Sequence, residues 1–152
     1  MKDEALILTS HHIRPTAMRM LVLHVLRTSD CALSLVDIEA RLATADRSTI
    51  YRTLVLFAEQ GLVHGVDDGS GQTKYAPDDN LSASAAEEGE TAGTDHTHFF
   101  CEACGRTYCL RSLHVPEADM PEGFVMHSAT FVVKGLCPHC AGRRRSSSSQ
   151  PH

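Results

Sequence analysis

Tryptophan is missing from this chain of 152 residues, and so is any long hydrophobic run. No stretch approaches the ~18–20 consecutive apolar residues of a membrane span. The opening MKDEALILTS likewise has neither the long apolar core nor the small-residue cleavage site of a secretory signal. The expected compartment is therefore the cytoplasm, with no membrane partner. HExxH, the nucleophile elbow G-x-S-x-G and Gly-rich phosphate loops are absent too, so the chain is expected not to be an enzyme. Disorder throughout is excluded in turn, because 42% of the residues are hydrophobic and 22% charged, the balance of a globular protein.

Positive charge is also in short supply. The formal net charge of −5 argues against a nucleic-acid binder until it is divided along the chain. Residues 1–77 hold 8 Lys/Arg against 9 Asp/Glu, 78–95 hold none against 6, and 96–152 hold 6 against 4. The acidity is local, so individual arginines have to decide the matter. The acidic stretch PDDNLSASAAEEGETAGTD is rich in Ser, Ala and Gly, and 78–95 reads as a flexible linker. It separates an N-terminal module, 1–77, from a C-terminal one, 96–142. Residues 143–152, ending in RRRSSSSQPH, read as an unstructured basic tail.

In the N-terminal module, Met18, Leu21, Val22, Val25 and Leu26 recur at helical spacing after a Pro15-Thr16 start signal, which predicts a helix over about 16–28. Ser34, with Asp37 three residues on, starts a second helix reaching about Ala43. A third runs from about Ser48 to Gln60 and stops at Gly61. LVHGV and QTKYA flank the turn cluster DDGSG, a β-hairpin signal. Three helices followed by a hairpin form a winged helix-turn-helix. Once its core positions are removed, the third helix leaves Ser48, Thr49, Tyr51, Arg52 and Thr53 at the surface, a set suited to a DNA groove. Arg14 can serve as a minor-groove arm, with Arg19 near the DNA backbone. The rival reading of this module is a protein-docking unit.

What the chain has in quantity is metal-ligand chemistry, with 6 Cys and 10 His. Cys101-x-x-Cys104 and Cys137-x-x-Cys140, 32 residues apart, form two knuckles that together complete a tetrahedral four-sulfur site suited to Zn²⁺. Four protein ligands leave no open position, so this zinc is expected to be structural and to supply folding energy to a small module. Disulfide or redox use of the CxxC pairs is the competing reading. His96 and His98 share a face on an extended strand and can meet a second metal, with Cys109 on the following strand able to complete the set. Cys109 can also face the core, act as an oxidisable thiol or bind haem iron.

The motifs RPTAMR, STIYRTL, HTHFFCEACG and CPHC, in that order over about 10 to 141, resemble the ferric uptake regulator family of bacterial metal-responsive repressors. The resemblance implies an α+β protein with a winged-helix domain and a zinc-stapled α/β dimerisation domain. It also implies a homodimer on double-stranded operator DNA, a structural zinc and a regulatory metal near the hinge. By position, the resemblance implies that Tyr51 reads bases, that Arg52 and Arg19 contact the DNA backbone, and that Arg14 enters the minor groove. It likewise implies that Cys101, Cys104, Cys137 and Cys140 hold the structural zinc and that His96 and His98 serve the regulatory metal.

Departures from the pattern bear on which metal regulates. Cys109 stands where a carboxylate is common, Cys31 lies beside Ala32 at the place of a family His, and Ala76 replaces a Glu. A regulatory set of His96, His98, Cys109 and Cys31 is soft and favours Zn²⁺ over Fe²⁺. A third, weaker family site draws on Asp95, Glu117 and His127, with Thr97 where an acid is common. Two alternatives stay open: a zinc-ribbon adaptor that binds protein, and a relative of the family that senses haem or oxidation.

Overall fold

The computed structural model describes residues 1–78, 97–110, 113, 119–127, 129 and 131–147. The chain divides into two compact units, 1–89 and 90–152. The stretch read as a linker, apart from Asp78, lies outside the described residues, as do 148–152 of the tail.

In the first unit the order is α1 (Lys2–Ser10), α2 (Ala17–Thr28), β1 (Leu33–Ser34), α3 (Leu35–Arg41), α4 (Arg47–Glu59), β2 (Val63–Asp67) and β3 (Thr73–Pro77). Three of the helices begin where side chains can satisfy their first amides. Thr16 accepts from the Arg19 amide, Asp46 caps α4 through the Thr49 amide, and Ser34 and Asp37 form a reciprocal capping box. Helix α4 ends in a Schellman turn: the Leu62 amide reaches the Phe57 carbonyl at 2.8 Å, and Gly61 takes φ 71° between them. Strands β2 and β3 pair antiparallel with Val66 opposite Lys74, and β3 also pairs with β1, giving the order β1-β3-β2. The core beneath gathers Leu8, Ile13, Val22, Leu23, Leu26, Leu33, Ile38, Ile50, Leu54, Phe57, Leu62 and Val63. The turn at the wing tip is closed by an ion pair between Lys74 Nζ and Asp68 Oδ2 at 2.7 Å, both side chains being buried.

Several expectations need correction. Helix α1 was not anticipated; its apolar residues Ala5, Leu6, Ile7 and Leu8 run consecutively, and no side chain caps its start. Leu21, read as core, is exposed, while Leu23 is fully buried, so α2 is turned slightly from the predicted face. Thr53, read as surface, is buried, and its hydroxyl donates back to the Thr49 carbonyl at 2.8 Å.

The second unit contains β4 (Thr97–Cys101), β5 (Thr107–Leu110), β6 (Phe131–Gly135) and α5 (Pro138–Ser147). Strand β4 is central, antiparallel to β5 and parallel to β6. Helix α5 starts inside the second CxxC and continues through Ser147, so residues 143–147, read as unstructured, are helical.

Candidate functional site

In the second unit the first knuckle is a tight return between β4 and β5. The Cys101 amide donates to the Arg106 carbonyl at 2.9 Å, the Gly105 amide donates to the Cys101 carbonyl at 2.9 Å, and Gly105 takes φ 75°. That left-handed conformation favours glycine, because a Cβ would be strained there. The second knuckle forms where β6 gives way to α5, and the Ala141 amide closes onto the Cys137 carbonyl at 2.8 Å. The parallel pairing of β4 with β6 sets Cys101 opposite Gly135, which brings the knuckles together.

The four sulfurs converge, all lying within 4.8 Å of one another, with Cys104 and Cys137 at 3.9 Å. Thiolates about 2.3 Å from a tetrahedral ion stand about 3.8 Å apart, so the donor set fits such an ion. Electrostatics point the same way. The amides of Cys104 and Cys137 hold the Cys101 thiol down to about 6, and the Cys140 amide lowers Cys137. Cys140 is pushed up to about 12, first by its neighbour Cys137 and then by burial. At Cys104 the Arg106 amide pulls downward, but burial and the thiols of Cys101 and Cys137 outweigh it. Four thiols this close cannot all ionise side by side without a cation to offset their mutual repulsion.

A second donor pair lies on the same hairpin. The knuckle sets Phe100 opposite Thr107, and counting back places His98 directly opposite Cys109. Directly opposed residues in an antiparallel pair project from the same face, and here the His98 ring nitrogen and Cys109 Sγ lie within 4.8 Å. His98 is buried and Cys109 half-buried. His96, Asp95 and Glu117 lie outside the described residues, and His127 is exposed. Thr97 is buried, and its hydroxyl donates to the Leu113 carbonyl at 3.3 Å. Cys31 belongs to the first unit, where it packs against the core with Sγ 3.7 Å from Ser29 Oγ. His64 on β2, which pattern reading passed over, stands 3.9 Å from the Asp78 carboxylate. Nothing in the spacing of these two residues signals the pair, which depends on where the wing's last strand ends.

On the first unit, α4 exposes Ser48, Tyr51 and Arg52, with Thr49 half-buried. The Ser48 hydroxyl donates to the Asp46 carboxylate, a bond that holds Asp46 below the usual carboxylate range. Arg52 Nε donates to the Ser48 carbonyl at 3.3 Å. Between α2 and α4 lies an open cleft of about 310 Å³ lined by Thr16, Arg19, Thr49 and Arg52, with Met18 and Leu56 among its apolar residues. Arg19 Nη1 donates to the Arg14 carbonyl at 2.9 Å, while Arg14 itself is exposed.

The first unit is thus a winged helix with polar residues exposed on α4, and the second a strand-and-knuckle unit with four converging thiols. Residues 10–120 match the model of the ferric uptake regulator family, and the chain belongs to that family, whose members are transcriptional regulators rather than enzymes. The chain is 28% identical over 97 residues to the ferric uptake regulation protein of Synechococcus elongatus, a match covering 61% of this chain and 58% of that protein. It is 24% identical over 111 residues to the peroxide operon regulator of Bacillus subtilis, covering 68% and 65%. The matches thus span about three-fifths of these relatives' length. In fold the chain is similar to the ferric uptake regulator of Vibrio cholerae, with a TM-score of 0.59, 16% identity, and coverage of 88% of this chain and 98% of that one. It is also similar to a zinc uptake regulator complexed with zinc and DNA, with a TM-score of 0.59, 21% identity and 91% of both chains covered.

Proposed function

We propose that this protein is a homodimeric, metal-dependent repressor that binds double-stranded operator DNA through its winged helix. Cys101, Cys104, Cys137 and Cys140 hold a structural Zn²⁺, and a regulatory Zn²⁺ is bound by His98 and Cys109 together with His96, Cys31 being a further candidate. The observation that carries this reading is the placement of His98 opposite Cys109. It sets an imidazole and a thiolate on one face, outside a four-sulfur site that already has its full complement of ligands. Sulfur at that position supports Zn²⁺ over Fe²⁺, since thiolate prefers the softer, later ion. On the DNA side, Tyr51 offers apolar contact to a thymine methyl, and Arg52, Ser48 and Thr49 offer donors to phosphate or base edges. Arg14 supplies the minor-groove arm, and Arg19 lies on the same surface.

The test is fluorescence anisotropy on a duplex selected from a random library with metal-loaded protein, performed without oxygen and at fixed salt. Protein retaining only its structural zinc is titrated with Zn²⁺ and, separately, with Fe²⁺. Salt must be held constant because phosphate contacts make affinity strongly salt-dependent. Zn²⁺ is expected to switch binding on, and Cys109→Ser with His98→Ala is expected to abolish the response. Activation by Fe²⁺ alone contradicts the choice of metal. Tight binding that ignores both ions contradicts metal regulation and turns attention to thiol oxidation or haem at Cys109.

A further inference from the structure

Arg14 is exposed, and the backbone on either side of it is anchored. Upstream, α1 ends in a Schellman turn in which the Ile13 amide reaches the Leu8 carbonyl at 2.8 Å and the His12 amide reaches the Thr9 carbonyl at 3.1 Å. His12 occupies the left-handed position at φ 59°, where glycine is usual, so the turn is formed at some conformational cost. Ile13 is buried in the core against Leu8. Downstream, Pro15 confines Arg14 to extended backbone, and Thr16 caps α2 through the Arg19 amide. Lastly, the Arg19 guanidinium, in the first turn of α2, reaches back to the Arg14 carbonyl at 2.9 Å.

We infer that Arg19 is a positioning residue: its guanidinium clamps the Arg14 carbonyl and pre-orders the arm that enters the minor groove, rather than serving only as a phosphate contact. The inference rests on the DNA-binding reading for its consequence but not for its structural content. A charged donor on a backbone carbonyl is stronger than a neutral one. Arg19 lies in the α2–α4 cleft beside Arg52, where a phosphate contact is the obvious rival role. The two roles differ in what they couple to. A phosphate contact acts alone, whereas a clamp acts through Arg14. Ordering the arm before binding removes an entropy cost of roughly one residue's backbone, worth about tenfold in affinity.

Two measurements on the full-length, metal-loaded protein separate these roles. The first needs no DNA: amide ¹⁵N relaxation at Ile13 and Arg14 in wild type, Arg19→Ala and Arg19→Lys. The clamp predicts a rigid Arg14 amide in wild type, fast motion in Arg19→Ala confined to the arm, and at least partial return of order in Arg19→Lys, whose ammonium can still donate to a carbonyl. An Arg14 amide equally rigid in Arg19→Ala overturns the inference. The second is a double-mutant cycle on duplex binding at fixed salt, with A·T and G·C versions of the flank the arm would read. Arg19→Ala should cost about tenfold and lose the flank preference, yet cost almost nothing more in an Arg14→Ala background. Additive losses with flank preference retained identify a phosphate contact and overturn the clamp. Wild-type protein that binds no duplex sinks the proposed function, and the relaxation measurement by itself then supports or overturns the clamp.

Discussion

The two units solve the problem of folding with different materials. In the first, an aliphatic core anchored by Phe57 buries twelve large side chains beneath three capped helices and a hairpin. Among the described residues of the second, the buried apolar side chains are two cysteines, Cys101 and Cys137. Phe124 and Val125 stand exposed there, and Thr97, His98 and Thr107 are the buried polar residues. Where the described residues bury so few apolar side chains, a metal joining the four thiols, which lie within 4.8 Å of one another, would supply cross-linking. Under the proposed function, the first unit, packed around its own apolar core, should fold without metal, while the second should depend on it. Under the same proposal, that division would keep the exposed α4 surface folded whether or not metal is present.

The largest expected effect is therefore metal removal. A strong chelator, with amide exchange followed segment by segment, should release protection across β4, β5 and β6 while α2 and α4 stay protected. Simultaneous loss in both units would erase the contrast. Next comes the reverse experiment: Phe57→Ala should destabilise the first unit by about 3–5 kcal/mol in denaturant unfolding and leave the tightly held metal per chain unchanged.

Acid provides a third probe. Glu4 is buried against His24 Nδ1 at 2.9 Å and Arg27 Nη1 at 3.2 Å, with the N-terminal amine at 3.2 Å. Its hydrogen bond to His24 comes first among the causes that lower its carboxyl from 4.5 to about 2. Because the folded value is the lower one, its stabilisation is fully present above about 4.5 and is lost as pH falls toward 2. Glu4→Gln should therefore be less stable than wild type at pH 6, with the gap closing by about pH 2 in parallel urea titrations. The smallest effect is at the capping box, where Ser34→Ala should cost about 1 kcal/mol, measurable as a shift in the first unit's unfolding midpoint.

The contrast also decides what could be read from sequence. The four cysteines were legible because a CxxC repeats a local geometry whatever surrounds it, and the winged helix because caps and hydrophobic spacing act within a few residues. Helix α1 was not, since a consecutive apolar run with no cap carries no helical period and its burial of Glu4 and Leu8 is decided by α2. Leu21 and Leu23 exchanged roles because the run Met20-Leu21-Val22-Leu23 satisfies more than one face. That Cys109 could join His98 was foreseeable from strand order. Their direct opposition was not, because register depends on how many residues the knuckle consumes between Cys101 and Arg106. Arg19's grip on the Arg14 carbonyl left no trace in composition or spacing either, being a five-residue reach around a proline.

Under the proposed function one chain carries two metal sites with separate duties, one that holds the second unit together and one that responds to supply. Metal content per chain, measured by native mass spectrometry on full-length protein across a graded chelator series, tests it most directly. Two Zn²⁺ per chain are expected at saturation: one released by mild chelation and missing from the Cys109→Ser with His98→Ala variant, the other retained until the second unit unfolds. A single ion at saturation, or a double variant that still binds two, would contradict it.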